Sequence, residues 1–123
     1  MEKYALYVNQ HIKDNILKEM ANLSVEKTGL NHGTIYVSSE EGHHGPRIKY
    51  YRGKPGKNVP SASISISKNP EVKEDSLNLK ASEKDELFKF VILNKKRLLH
   101  MWNHGMEMLD DEWDRHKKSL KKI

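Results

Sequence analysis

Apolar residues open the chain at a regular interval: Tyr4, Val8, Ile12, Ile16, Met20 and Leu23 follow one another at spacings of four, four, four, four and three. That interval puts side chains on one face of a helix. Ala5 and Leu17 broaden the stripe, and Lys13, Asp14, Lys18 and Glu19 fall on the opposite side. The pattern predicts a helix from about residue 10 to 23, ended by Thr28-Gly29, whereas residues 3–9 fit helix and strand equally. The stripe reads first as cover for one face of a sheet, and second as a detachable partner-binding helix.

The period then changes from helical to alternating. Thr34-Ile35-Tyr36-Val37 is rich in β-branched and aromatic residues and predicts a strand. Ser38 to Gly45 is a polar connection with glycines, and Pro46 is suited to starting the next strand rather than sitting within it. That strand is expected over Arg47–Arg52, with Ile48 and Tyr50 on one face and Arg47, Lys49 and Tyr51 on the other. Residues 53–60, G-K-P-G-K-N-V-P, read as a loop, and they lack the G-x-x-x-x-G-K-[ST] spacing of a phosphate-cradling loop. In Ser61 to Ser67 the alternation is clean: Ala62, Ile64 and Ile66 are expected in the core and the serines outside. Residues 69–80 form a polar bridge with short apolar teeth at Val72, Leu77 and Leu79, in which a brief fourth strand fits.

Beyond residue 80 the pattern is helical again. Ser82 with Asp85 predicts an N-cap, and Glu83, Asp85 and Glu86 fall in the first turn, where free backbone N–H groups favour negative charge. Leu87, Val91, Leu98 and Trp102, flanked by Phe88, Ile92 and Leu99, mark a long amphipathic helix with Lys95-Lys96-Arg97 as a solvated ridge. Gly105 ends or bends it. Met106, Leu109 and Trp113 predict a short second helix with an acidic outer side, followed by a mobile basic tail over 115–123. The expected architecture is a single α+β domain over 1–123, a small antiparallel sheet of three or four strands packed against two or three helices.

Composition sharpens this picture. At 123 residues, 36% hydrophobic and 32% charged, the chain can form one modest core, to which homodimerisation could add burial. It has no cysteine, which excludes disulfides, thiolate nucleophiles and cysteine-ligated metal. No segment approaches the run of about 20 apolar residues that crosses a bilayer, so a cytoplasmic protein without a membrane partner is expected. The net charge of +5 is unevenly placed: residues 31–70 hold six Lys or Arg against two Glu, residues 105–114 hold five acidic residues and no Lys or Arg, and the last nine residues hold five basic ones. Such asymmetry favours a polyanion or an acidic protein as partner.

Candidate chemistry is sparse. His100 and His104 are four apart, but the stretch reads H-M-W-N-H rather than H-E-x-x-H and supplies no third ligand. No metal and no cofactor is expected. The serines of 61–67 have no oriented base to activate them.

The order of G33-T-I-Y-V, H43-H-G-P-R-I-K-Y-Y51, A62-S-I-S-I66 and the helix from about Asp85 through L98-L-H-M-W102 resembles the small bacterial domain-of-unknown-function family 4160, over roughly residues 32–104. The resemblance implies a compact α+β protein, and some members of that family lie in gene neighbourhoods suggestive of toxin-antitoxin modules. In the family a proline-rich turn leads into a His-aromatic-His strand. Here His43 and His44 precede Pro46, but Arg47 and Lys49 stand at the alternating strand positions. Two functional classes follow. One is a noncatalytic interaction module in which Arg47, Lys49, Tyr51, Arg52, Lys54 and Lys57 contact RNA, DNA or an acidic protein. The other is a small metal-independent ribonuclease or toxin-antitoxin component, with His43 or His44 transferring protons and Arg47 or Lys49 stabilising phosphate charge.

Overall fold

The computed structural model describes residues 22–37 and 45–123. Of the helix expected over about 10–23, residues 10–21 therefore lie outside the described residues, as do His43 and His44 of the following turn. Five strands, β1 (Asn22–Leu23), β2 (Thr34–Val37), β3 (Arg47–Tyr51), β4 (Ala62–Ser65) and β5 (Val72–Asp75), form one antiparallel sheet in the order of the chain. Helices α1 (Val25–Thr28), α2 (Ala81–His104) and α3 (Asp110–Lys118) complete the described elements. The α+β class is as expected, and the sheet has one strand more than the three or four read from the pattern. The extra strand is β1, whose Asn22 and Leu23 were assigned to a helix. Their conformation is set by pairing with Tyr36 and Ile35, a non-local interaction that overrides local periodicity.

Register explains which face is buried. Leu23, Ile35, Tyr50 and Ala62 lie opposite one another across four strands, and Val37, Ile48 and Ile64 form a second row. All seven are at most 2% exposed. Against this face α2 sets Leu87, Phe90, Val91, Leu98, Met101 and Trp102, and Trp113 of α3 and Leu120 join the same core. The Trp113 indole N–H, which must find an acceptor once buried, donates to the Gly105 carbonyl at 3.3 Å. No helix among the described residues is long and apolar enough to cross a membrane.

The expected stripe of α2, Leu87, Val91, Leu98 and Trp102, is buried, and Phe90, Asn94 and Met101 join it. Leu87, Asn94 and Met101 recur at seven-residue intervals with Phe90, Val91 and Leu98 between them, whereas Ile92, expected to flank the stripe, is 58% exposed. Asn94 has non-helical backbone angles (φ −116°, ψ 18°) and kinks the helix. Its side-chain N–H groups donate to the carbonyls of Phe90 (3.1 Å) and Lys121 (2.8 Å), and its oxygen accepts the N–H of Lys121 (2.8 Å). The contacts fix the orientation of the amide, since a flipped group would set its oxygen against two carbonyls. The stretch 115–123 was read as a mobile basic tail. Its first four residues continue α3, Leu120 is 8% exposed, and the Ile123 N–H donates to the Thr28 carbonyl at 3.0 Å.

Candidate functional site

Two clusters of charge stand out, and they differ in how their cations are used. The first lies at the N-terminus of α2. Here the helix is capped from Lys80, two residues before the expected Ser82, because Glu83 at the third helical position reaches back to accept the Lys80 N–H at 2.9 Å. The preceding turn is held by Asp75, whose carboxylate accepts the N–H groups of Leu77 (2.9 Å) and Leu79 (3.0 Å). These bonds hold the Asp75 carboxyl below its ordinary range. Asn78, in the left-handed region at φ 53°, completes the turn.

Arg52 then closes onto Glu83. Its Nε and Nη2 donate to the two carboxylate oxygens at 3.1 and 2.9 Å, a paired geometry that favours Arg over Lys. The Tyr50 hydroxyl adds a bond at 3.3 Å, and the His32 ring nitrogen stands 3.9 Å away. Glu83 is only 5% exposed, yet the Arg52 guanidinium and the Lys80 N–H hold its carboxyl down at about 2. Burial and the neighbouring carboxylate push the Tyr50 hydroxyl up to about 12. Gly33 (φ 91°) makes room for Tyr50: a Cβ there would lie 2.6 Å from the Tyr50 ring and 2.7 Å from the Tyr51 carbonyl.

The sequence-predicted site residues distribute as follows. Arg47, Lys49 and Tyr51 share the outer face of β3, across from Tyr36, Ser63 and Ser65. Arg47 sits 3.7 Å from Glu74 with its side chain 15% exposed, and its buried Nε has no acceptor among the described residues. Tyr51 is 8% exposed and its hydroxyl is pushed up by burial. Ser63, expected outside, is 1% exposed. Arg52 has the parity of Ile48 and Tyr50 and turns to the helix side. Lys54 and Lys57 are exposed in the loop between β3 and β4, and neither they nor Lys49 pair with a carboxylate among the described residues. His43 and His44 lie outside the described residues. A cavity of about 330 Å³ opens at the start of β3 beside Arg47 and Lys73, but both of these cations have carboxylate neighbours, Glu74 and Glu71.

The second cluster was visible in sequence only as the ridge Lys95-Lys96-Arg97. In the fold it becomes one wall of a groove of about 900 Å³. Among the described residues, Lys68 from the β4–β5 turn and Lys121 near the end of the chain bring the lining to five cations, and no carboxylate lines it. Ile92 and Leu93, 58% and 44% exposed, give it an apolar floor. His100 and His116 stack with ring centroids 4.5 Å apart, and His104 stands 4.8 Å beyond His100. Arg97 can only donate, so Nδ1 of His116 accepts its N–H at 2.8 Å and the ring proton sits on Nε2. Burial, then the nearby His100 and Arg97, hold His116 below its ordinary value, which keeps it a neutral acceptor. None of the five cations pairs with a carboxylate among the described residues. Among those residues no group of three His, Asp or Glu side chains could hold a metal ion.

No protein-family model, no curated protein and no solved structure matches the chain.

Proposed function

We propose that this chain is a noncatalytic, cytoplasmic module that binds nucleic acid through its cationic groove, with Lys49, Lys54 and Lys57 as outlying contacts. The observation that carries the reading is the groove lining, in which, among the described residues, five cations face a common space and no carboxylate does. Cations consumed by internal ion pairs add little attraction for an external phosphate, whereas unpaired ones release condensed counterions when they meet a polyanion. The absence of cysteine agrees with a reducing compartment. Kinship with the domain-of-unknown-function family 4160, and with it a toxin-antitoxin setting, belongs to the same proposal and rests on the short motifs quoted above. Arg52 is not among the contacts, since its guanidinium is committed to Glu83.

The test is a titration of labelled RNA and DNA pools at several salt concentrations. Binding that weakens steeply with salt, and weakens less steeply in the Lys95→Ala/Lys96→Ala variant, supports the reading. No binding to either pool at low salt overturns it.

A further inference from the structure

The groove carries more than charge. Along α2, Ile92, Lys96, His100 and His104 recur every four residues, so an apolar group, a cation and two aromatic rings follow one another on one side of the helix. His100 is exposed, and the His104 side chain is 52% exposed. The inner ring, His116, is held in place by Arg97. The three rings therefore form a short ladder whose base is fixed, with His100 as its middle ring, exposed at its edge, and His104 as its outer ring, open to solvent. A surface that bound only phosphates would need the cations and none of the rings or exposed aliphatic side chains. Duplexes show the outside of a helix to such a surface and keep their base faces stacked on one another, while single strands offer those faces.

We infer that the groove takes single-stranded nucleic acid, with bases stacking on the His100–His104 end of the histidine ladder and lying against Ile92 and Leu93 while Lys68, Lys95, Lys96 and Lys121 hold the phosphates. This rests on the nucleic-acid reading and narrows it to one class of strand. His100 and His104 are contact residues, and His116 with Arg97 positions them. Stacking on a planar face is tolerant of base identity, so the site discriminates strandedness and not sequence.

The experiment compares labelled oligonucleotides of roughly ten nucleotides, within the site size of small single-strand binders, as single-stranded RNA, single-stranded DNA and the matching duplexes. Single strands of either sugar are expected to bind more tightly than duplexes at equal salt. His104→Ala is expected to weaken single-strand binding about tenfold with little change in the salt slope, while His104→Phe, which keeps a stacking face, retains it. Circular dichroism melts of both variants establish that they fold. Equal binding of duplex and single strand overturns the inference and leaves the nucleic-acid reading standing. Single-strand binding unchanged in a His100→Ala/His104→Ala variant overturns the role of the ladder. Loss of all nucleic-acid binding by the unaltered protein removes the parent reading, and this inference with it.

Discussion

The Arg52–Glu83 cluster and the groove along α2 are built from the same kinds of residue and have opposite uses. In the first, one cation faces a buried carboxylate that also accepts a helix N–H and a tyrosine hydroxyl. Every group is satisfied from within. In the second, five cations and two histidines share one cavity, with no carboxylate among the described residues of its lining. A pKa driven far from its ordinary value is often taken to mark a functional site. Here the large shifts, at Glu83 and Tyr50, belong to the self-contained cluster, and the groove is marked by what its cations lack.

That contrast predicts separable effects of substitution. Arg52→Ala strands a buried carboxylate, and an unfolding titration in urea should show the largest loss of stability of the variants considered. A loss below about 1 kcal/mol, the range of ordinary surface pairs, would show that solvent replaces the guanidinium and that the cluster is not structural. Gly33→Ala combines an unfavourable positive φ with contacts closer than 3 Å to Tyr50 and to the Tyr51 carbonyl. It should cost about 2 kcal/mol by the same assay, and a neutral result would mean that β2 can shift away from Tyr50.

Acid sharpens the comparison further. The Glu83 carboxyl titrates at about 2 in the fold against 4.5 as its ordinary value. The folded form thus holds the charged state more strongly than the unfolded chain does, so its contribution is present above 4.5 and fades as pH falls towards about 2. The stability difference between the unaltered protein and Glu83→Gln should stay constant from pH 7 to about 5 and then shrink with acid. A difference that does not shrink would assign the effect of Glu83 to its hydrogen-bonding shape and not its charge.

The smallest stability effect is expected in the groove. Lys95→Ala/Lys96→Ala removes two cations that have no carboxylate partner among the described residues, and unfolding should move by no more than about 0.5 kcal/mol. The same pair should lower the salt slope of single-strand binding by about 1.4. A stability loss comparable with that of Arg52→Ala would erase the distinction between the two regions.

The alternation that put Ala62, Ile64 and Ile66 in the core was legible because one buried face forces it. β1 was not, since two residues become a strand only when Ile35 and Tyr36 lie beside them. Parity in β3 already placed Arg52 with Ile48 and Tyr50. Grouping it with the outer cations followed charge in place of geometry. The cap at Lys80 was hidden because lysine is a poor N-cap, although Glu83 three residues later was the usable signal. Asn94 was missed because its polarity concealed the seven-residue recurrence it shares with Leu87 and Met101. The groove could not be seen from Lys95-Lys96-Arg97 alone, since Lys68, His116 and Lys121 are brought to it by the sheet turn, α3 and the closing segment.

The kink at Asn94 divides α2 into two rods with different duties, the first bearing Glu83 and the second bearing His100 and His104. One asparagine amide, paired in both directions with the Lys121 peptide, splints the joint between them. The bracing fixes the angle between the rods, so the pose of the histidine-bearing half rests on the closing segment as well as on the sheet. Deuterium uptake should report the division as two blocks of amides with separate exchange rates meeting at residue 94.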